Sequence, residues 1–130
     1  MDFKISLGRT IVLVKDYDEA YNFYHRVFGC HKIYDDTAPD GQRYLHVGFG
    51  GVENTGIWFL KVSSDSESKV GNQTGGEPLL VLYTDDIFPL FDHLIGEGVE
   101  ITEEIVISPK SKFFHCRDLY GNRIVVVEVA

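Results

Sequence analysis

The sequence predicts an α+β fold of two tandem βαβββ modules, each a curved sheet with a helix on one face. Three observations carry this reading. Residues 9–28 run as an apolar strand, an acidic cap and an aromatic amphipathic segment, and residues 79–98 repeat that order. Lys15-Asp16 is matched by Asp85-Asp86, and Arg43-Tyr44-Leu45-His46 by Lys112-Phe113-Phe114-His115. Between the halves, residues 63–77 are polar and glycine-rich, with almost nothing to bury. After each helix come three short strand patterns joined by brief turns, too little chain for crossover connections throughout. Two such mixed sheets, set edge to edge, are expected to curve around a pseudo-symmetric cleft. The expected organisation is one domain, 1–130, made of a first module (1–62), a linker (63–77) and a second module (78–130).

Each element follows from its residues. Thr10-Ile11-Val12-Leu13-Val14 is a continuous β-branched apolar run, which reads as a buried strand. Asp16 then stands as an N-cap, with Glu19 three residues later in capping-box spacing. Tyr17, Ala20, Tyr21, Tyr24, Val27 and Phe28 recur at helical period, and Gly29 sits where a helix stops. Shorter strands are expected near 31–36, 43–49 and 56–62. In the second half Leu79 to Tyr83 is a strand, and Asp85 or Asp86 caps a helix. Pro89 is tolerated there because it lies in the first turn. Gly96 and Gly98 end that helix, and strands near 100–107, 112–117 and 123–129 complete the half.

Composition narrows the class of partner. A chain of 130 residues fits one domain and buries roughly two-thirds of its unfolded surface. Its formal net charge of −8 disfavours nucleic acid or an anionic membrane, because phosphate binding needs a basic face. A small anionic ligand stays open, since it responds to local charge. No stretch approaches the roughly 20 apolar residues of a membrane span. Met1-Asp2-Phe3-Lys4 has no signal-peptide character, and Cys30 and Cys116 lack metal-type spacing. A reduced cytoplasmic protein is the expectation.

The openings Val12-Leu13-Val14-Lys15-Asp16 and Val81-Leu82-Tyr83-Thr84-Asp85-Asp86, with the closing Asp118-Leu119-Tyr120-Gly121-Asn122-Arg123-Ile124, resemble the vicinal oxygen chelate superfamily. That superfamily includes glyoxalase I, the extradiol dioxygenases and the bleomycin-resistance proteins. The resemblance spans Arg9 to Val129. The usual closing motif, Asp-Pro-Asp-Gly-Asn-x-Ile-Glu, is a turn signature and identifies fold better than activity. Enzymes of the superfamily hold a divalent metal through four side chains. The resemblance places those four positions at Arg9, Trp58, Leu79 and Val125, where no side chain is a suitable donor. It therefore implies the architecture without the metal. No cofactor is expected, and a homodimer is, as in many relatives.

Strand alternation nominates what else faces the cleft. The resemblance puts His115, three residues before Asp118, beside the ligand, and the repeat puts His46 at the symmetric place. Each reads either as a satisfied strand histidine or as a ligand contact, and together they are the candidates for acid/base chemistry. Arg9 reads as a salt-bridged strand end or as an oxyanion anchor. Arg123 reads as a solvent-reaching turn residue or a cleft residue. Trp58 is core filling or an aromatic wall, and Tyr83 has the same dual reading with a hydroxyl added. Cys116 should point away if His115 points in.

The function these residues favour is metal-free binding of a small, partly aromatic or anionic organic molecule. One alternative is a metal-independent lyase or isomerase using His46 or His115 as acid/base. Others are a metalloenzyme with shifted ligands and a partner-binding module with a filled cleft.

Overall fold

Asp16 accepts the Glu19 backbone N–H at 2.8 Å and so starts the first helix, α1 (Tyr17–Phe28). Gly29 stops it at φ 78, a left-handed conformation that costs an L side chain about 1–2 kcal/mol. The structure, a computed structural model, describes residues 2–129. It divides into two units, Met1–Glu67 and Ser68–Ala130.

In the first unit α1 lies between β1 (Arg9–Val14) and three further strands, β2 (His31–Thr37), β3 (Arg43–Gly48) and β4 (Gly56–Lys61). Their order across the sheet is β1-β4-β3-β2. β1 runs parallel to β4 and the remaining pairs are antiparallel. Ala20, Tyr24 and Val27 of α1 are buried, as are Val12, Val14, Leu45, Val47, Ile57 and Phe59 of the sheet. The Tyr24 and Phe59 rings meet edge to face at 5.2 Å. Burying each large apolar side chain contributes about 1.5–3 kcal/mol.

Only alternate residues of β1 are buried. Val12 and Val14 are inside, whereas Ile11 is 40% exposed. The uninterrupted run Thr10–Val14 is therefore not buried on both faces as its composition suggested. In its own unit α1 covers one side of the sheet, and the two-residue period of a strand turns the rest away from it.

The second unit repeats the order with β5 (Pro78–Tyr83), α2 (Ile87–Gly96), β6 (Ile101–Ile107), β7 (Ser111–Arg117) and β8 (Arg123–Val129). Its sheet runs β5-β8-β7-β6, with β5 parallel to β8. Ile87 and Leu94 of α2 are buried, as are Phe114, Cys116, Ile124 and Val126 of the sheet. Phe91 meets Phe114 edge to face at 5.2 Å. Asp86 stands at the N-cap as expected, but its side chain makes no cap bond. The Ile87 N–H is taken instead by Glu128 of β8 at 2.9 Å. Beyond the end of α2, Gly98 has φ 76 and Val99 N–H returns to Leu94 O.

Residues 63–77 hold more structure than their composition suggests. A short 3-10 helix spans Ser64–Lys69, and Val70 is buried. Gly71 backs directly onto the carbonyl of Tyr120, and a Cβ there would collide with it. Tyr120 belongs to the closing turn, where Asp118 Oδ1 accepts the Tyr120 and Asn122 N–H groups, both at 2.9 Å. No helix among the described residues is long and apolar enough to cross a membrane.

Candidate functional site

Register matches the two modules position for position, each within its own sheet. His46 of β3 pairs with Trp58 of β4, and Trp58 with Ile11 of β1. In the second unit His115 pairs with Val125, and Val125 with Val81. The repeat thus sets His46 with His115 and Trp58 with Val125, all on the sheet face turned away from the helix of its own unit.

In the first unit this face is aromatic. His46 lies 5.5 Å from the Trp58 ring and 5.6 Å from Tyr34, and Tyr44 lies 5.8 Å from Trp58. Arg9 donates through Nε to His46 Nδ1 at 3.1 Å. Its Nη1 donates to the Gly8 and Asn54 carbonyls at 2.6 and 3.0 Å, and Nη2 to the Val52 carbonyl at 3.4 Å. The strand between Arg9 and His46 carries Gly56, which pairs with Arg9. With no side chain at that position, Arg9 crosses β4 to reach β3. Arg9 is neither a salt-bridged strand end among the described residues nor an open fork. Four of its bonds already go to neutral acceptors. Burial, and secondarily the Arg9 charge, lower the pKa of His46 and favour its neutral ring. His46 Nε2 and Trp58 Nε1 are both buried and find no partner among the described residues.

The second unit makes a similar Arg–His pair from a different strand. Arg123 occupies the place that Gly56 holds in the first unit, at the start of β8. It donates through Nη2 towards His115 Nδ1 at 3.4 Å and through Nη1 to the Gly76 carbonyl at 3.1 Å. Phe113 flanks His115 at 5.8 Å. Tyr83 pairs with Val127 at the far end of β5 and is 77% exposed, so it joins no aromatic cluster with His115. Val81, on the same face, is 58% exposed. Cys116 points to the opposite, helix-covered side, and burial pushes its thiol up to about 12. Cys30 is raised likewise to about 12, and both thiols are free.

Tyr34 and Tyr44 were not singled out by sequence. Tyr44 had a signal, because it stands two residues before His46 and so shares its face. Tyr34 had none, since a register shift between Lys32 and Tyr34 scrambles the alternation that would have revealed it.

A family model described as the Glyoxalase/Bleomycin resistance protein/Dioxygenase superfamily matches residues 6–126. The chain belongs to that superfamily. An uncharacterized protein of Shewanella frigidimarina (strain NCIMB 400) is 27% identical over 121 residues, 92% of this chain and 90% of that one. Among solved structures, UcmS2 superposes with a TM-score of 0.81 at 21% identity, over 96% of this chain and 98% of its own. TnmS3, described as an antibiotic binding protein from Streptomyces sp. CB03234, gives a TM-score of 0.79 at 22% identity, over 100% of this chain and 99% of its own. At those identities the likeness shows the fold.

The superfamily's metal-using members prompt a direct test of fit. The positions that the resemblance gives as metal ligands are, in the first unit, Arg9, a fixed cation already bonded to His46, and Trp58, whose indole nitrogen only donates. In the second unit they carry Leu79 and Val125. Among the described residues no three His, Cys, Asp or Glu side chains gather to hold a metal ion. These donor sets do not fit the superfamily's divalent metal.

Proposed function

We propose that this chain binds a small, flat, partly aromatic organic molecule without a metal, on the sheet face that carries His46 and Trp58. The observation that supports this most is the aromatic row Tyr34, His46, Trp58 and Tyr44 on a face its own helix does not cover. Stacked or edge-on rings recognise another ring over a broad area, and a few polar groups fix its orientation. The description of TnmS3 as an antibiotic binding protein points the same way. His115, Arg123 and Tyr83 are the second module's own candidates for ligand contact, and in this reading two chains form a homodimer in the cytoplasm.

Arg9 argues against the acid/base alternative at His46. Its guanidinium already occupies Nδ1, so that nitrogen is not available to take a proton from a substrate.

Trp58 is the single tryptophan, so its fluorescence reports on the proposed site. Titration with bicyclic and tricyclic aromatic compounds should quench it and raise Tm. A ligand at about 100 times its Kd adds about 2.7 kcal/mol of stability. Metal analysis of the purified, active binder should find no stoichiometric divalent ion. Stoichiometric zinc, nickel, iron or manganese, or a complete lack of response across the panel, would overturn the reading.

A further inference from the structure

Arg9 decides which nitrogen of His46 carries the proton. A guanidinium can only donate, so the 3.1 Å contact makes Nδ1 the acceptor. In the neutral ring the proton then stands on Nε2. Trp58 Nε1 is a donor in every state. Two N–H donors therefore sit on directly paired residues of β3 and β4, their rings 5.5 Å apart. Neither nitrogen reaches solvent, and neither finds an acceptor among the described residues. A buried N–H left unpaired costs about 1–3 kcal/mol, so an acceptor supplied from outside recovers that cost twice.

The local charge says which kind of acceptor. Arg9 brings a positive charge against His46, and its bonds run to carbonyls and a neutral imidazole rather than to a carboxylate. The carboxylate on this face of β2, Asp36, pairs across the sheet with Tyr44 and is engaged by the Tyr34 hydroxyl and the Thr37 N–H. The field thus runs from positive at Arg9 to negative at Asp36, and an anion belongs at the Arg9 end.

We propose that His46 Nε2–H and Trp58 Nε1–H together hold the two oxygens of an aromatic carboxylate whose ring lies among Trp58, Tyr34 and Tyr44. This rests on the reading of this face as a ligand surface and adds the ligand's chemistry to it. Arg9 is then a positioning residue: it sets the His46 tautomer and the sign of the field, and leaves the carboxylate to the two rings. The rings must part for the ligand to enter, since both nitrogens are shut from solvent. In this state His46 Nε2 offers no lone pair, so it neither ligates a metal nor takes up a proton.

Nitrogen-15 NMR on the full chain tests each link, using three probes with one ring system: 1-naphthoate, 1-naphthylmethanol and 1-naphthylmethylammonium. The His46 ring should show its proton on Nε2 before any probe is added; a proton on Nδ1 overturns the proposal. Naphthoate should bind at least about tenfold more tightly than the ammonium, a difference of about 1.4 kcal/mol. It should also move the one indole N–H resonance downfield. Equal or tighter binding of the ammonium, or an indole unmoved by bound naphthoate, overturns the carboxylate assignment. Should the three probes bind alike, the surface still binds ligand and only the carboxylate inference falls. Should none bind, the ligand surface falls with it. Trp58→Phe keeps a ring and removes one donor. It should erase most of the preference for naphthoate over naphthylmethanol and over naphthylmethylammonium; a preference left intact overturns the role of the indole N–H. Arg9→Met, its fold checked by the amide spectrum, should let His46 populate both tautomers.

Discussion

Glu128 reaches from the last strand to the start of α2, accepting the Ile87 backbone N–H at 2.9 Å through Oε1. Its Oε2 is held by Lys112 at 3.0 Å. A strand residue thus supplies the cap that Asp86, at the N-cap position, does not. Glu128→Ala should lower Tm by several degrees, because the Ile87 N–H loses its acceptor; Glu128→Gln, which keeps an oxygen there, should lower it less. Amide exchange should quicken first at the N-terminal turn of α2. Unchanged exchange at that turn would show that the cap is not what Glu128 contributes.

The Arg43 fork grips Asp35 through two bonds of 2.8 and 2.9 Å and touches Asp18 at 3.0 Å. The Arg43 hydrogen bonds, with a smaller contribution from Lys32, bring the Asp35 carboxyl from its ordinary 3.8 down to about 2. A depressed carboxylate stabilises the fold above its unfolded pKa and loses that contribution as pH falls through the folded value. The loss from this group therefore runs between 3.8 and about 2. Urea midpoints of the native chain and Arg43→Met should differ at neutral pH and converge as acid is added across that interval. A constant gap would refute the assignment.

Gly71 and Gly29 separate two costs of replacing glycine. Both have positive φ, 81 and 78, but a Cβ on Gly29 meets open space while one on Gly71 meets the Tyr120 carbonyl. Gly29→Ala should cost about 1–2 kcal/mol for the left-handed backbone alone. Gly71→Ala adds a collision with backbone that cannot swing aside, and it should destabilise clearly more. Denaturant unfolding of the two variants checks the order; equal losses would mean that the packing of residue 71 on the closing turn carries no weight.

The residues that sequence singled out divide by how local their evidence was. Asp16, Glu19 and Gly29 act within one helix, so their spacing sufficed to place both ends of α1. His46 and His115 were found by repetition, and register puts both in matching pairs. Arg9 was legible as a residue of that face but not as the partner of His46. That contact needs β4 to lie between β1 and β3 and Gly56 to clear the way across it. Glu128 was missed for the same reason, since its partner Ile87 is 41 positions away along the chain.

The chain by itself determined its duplicated βαβββ order, the caps of its first helix, its closing turn and the residue types at Arg9, Trp58, Leu79 and Val125, the positions the resemblance assigns to a metal. Those depend on residue type, short-range period and internal repetition, which the sequence states directly. Tertiary structure alone decided which face of each sheet is covered, which carboxylate caps α2, and which nitrogen of His46 accepts from Arg9. Each of these is a contact between strands or between helix and sheet. Its energy depends on the distance and direction of a hydrogen bond, and no spacing along the chain encodes either.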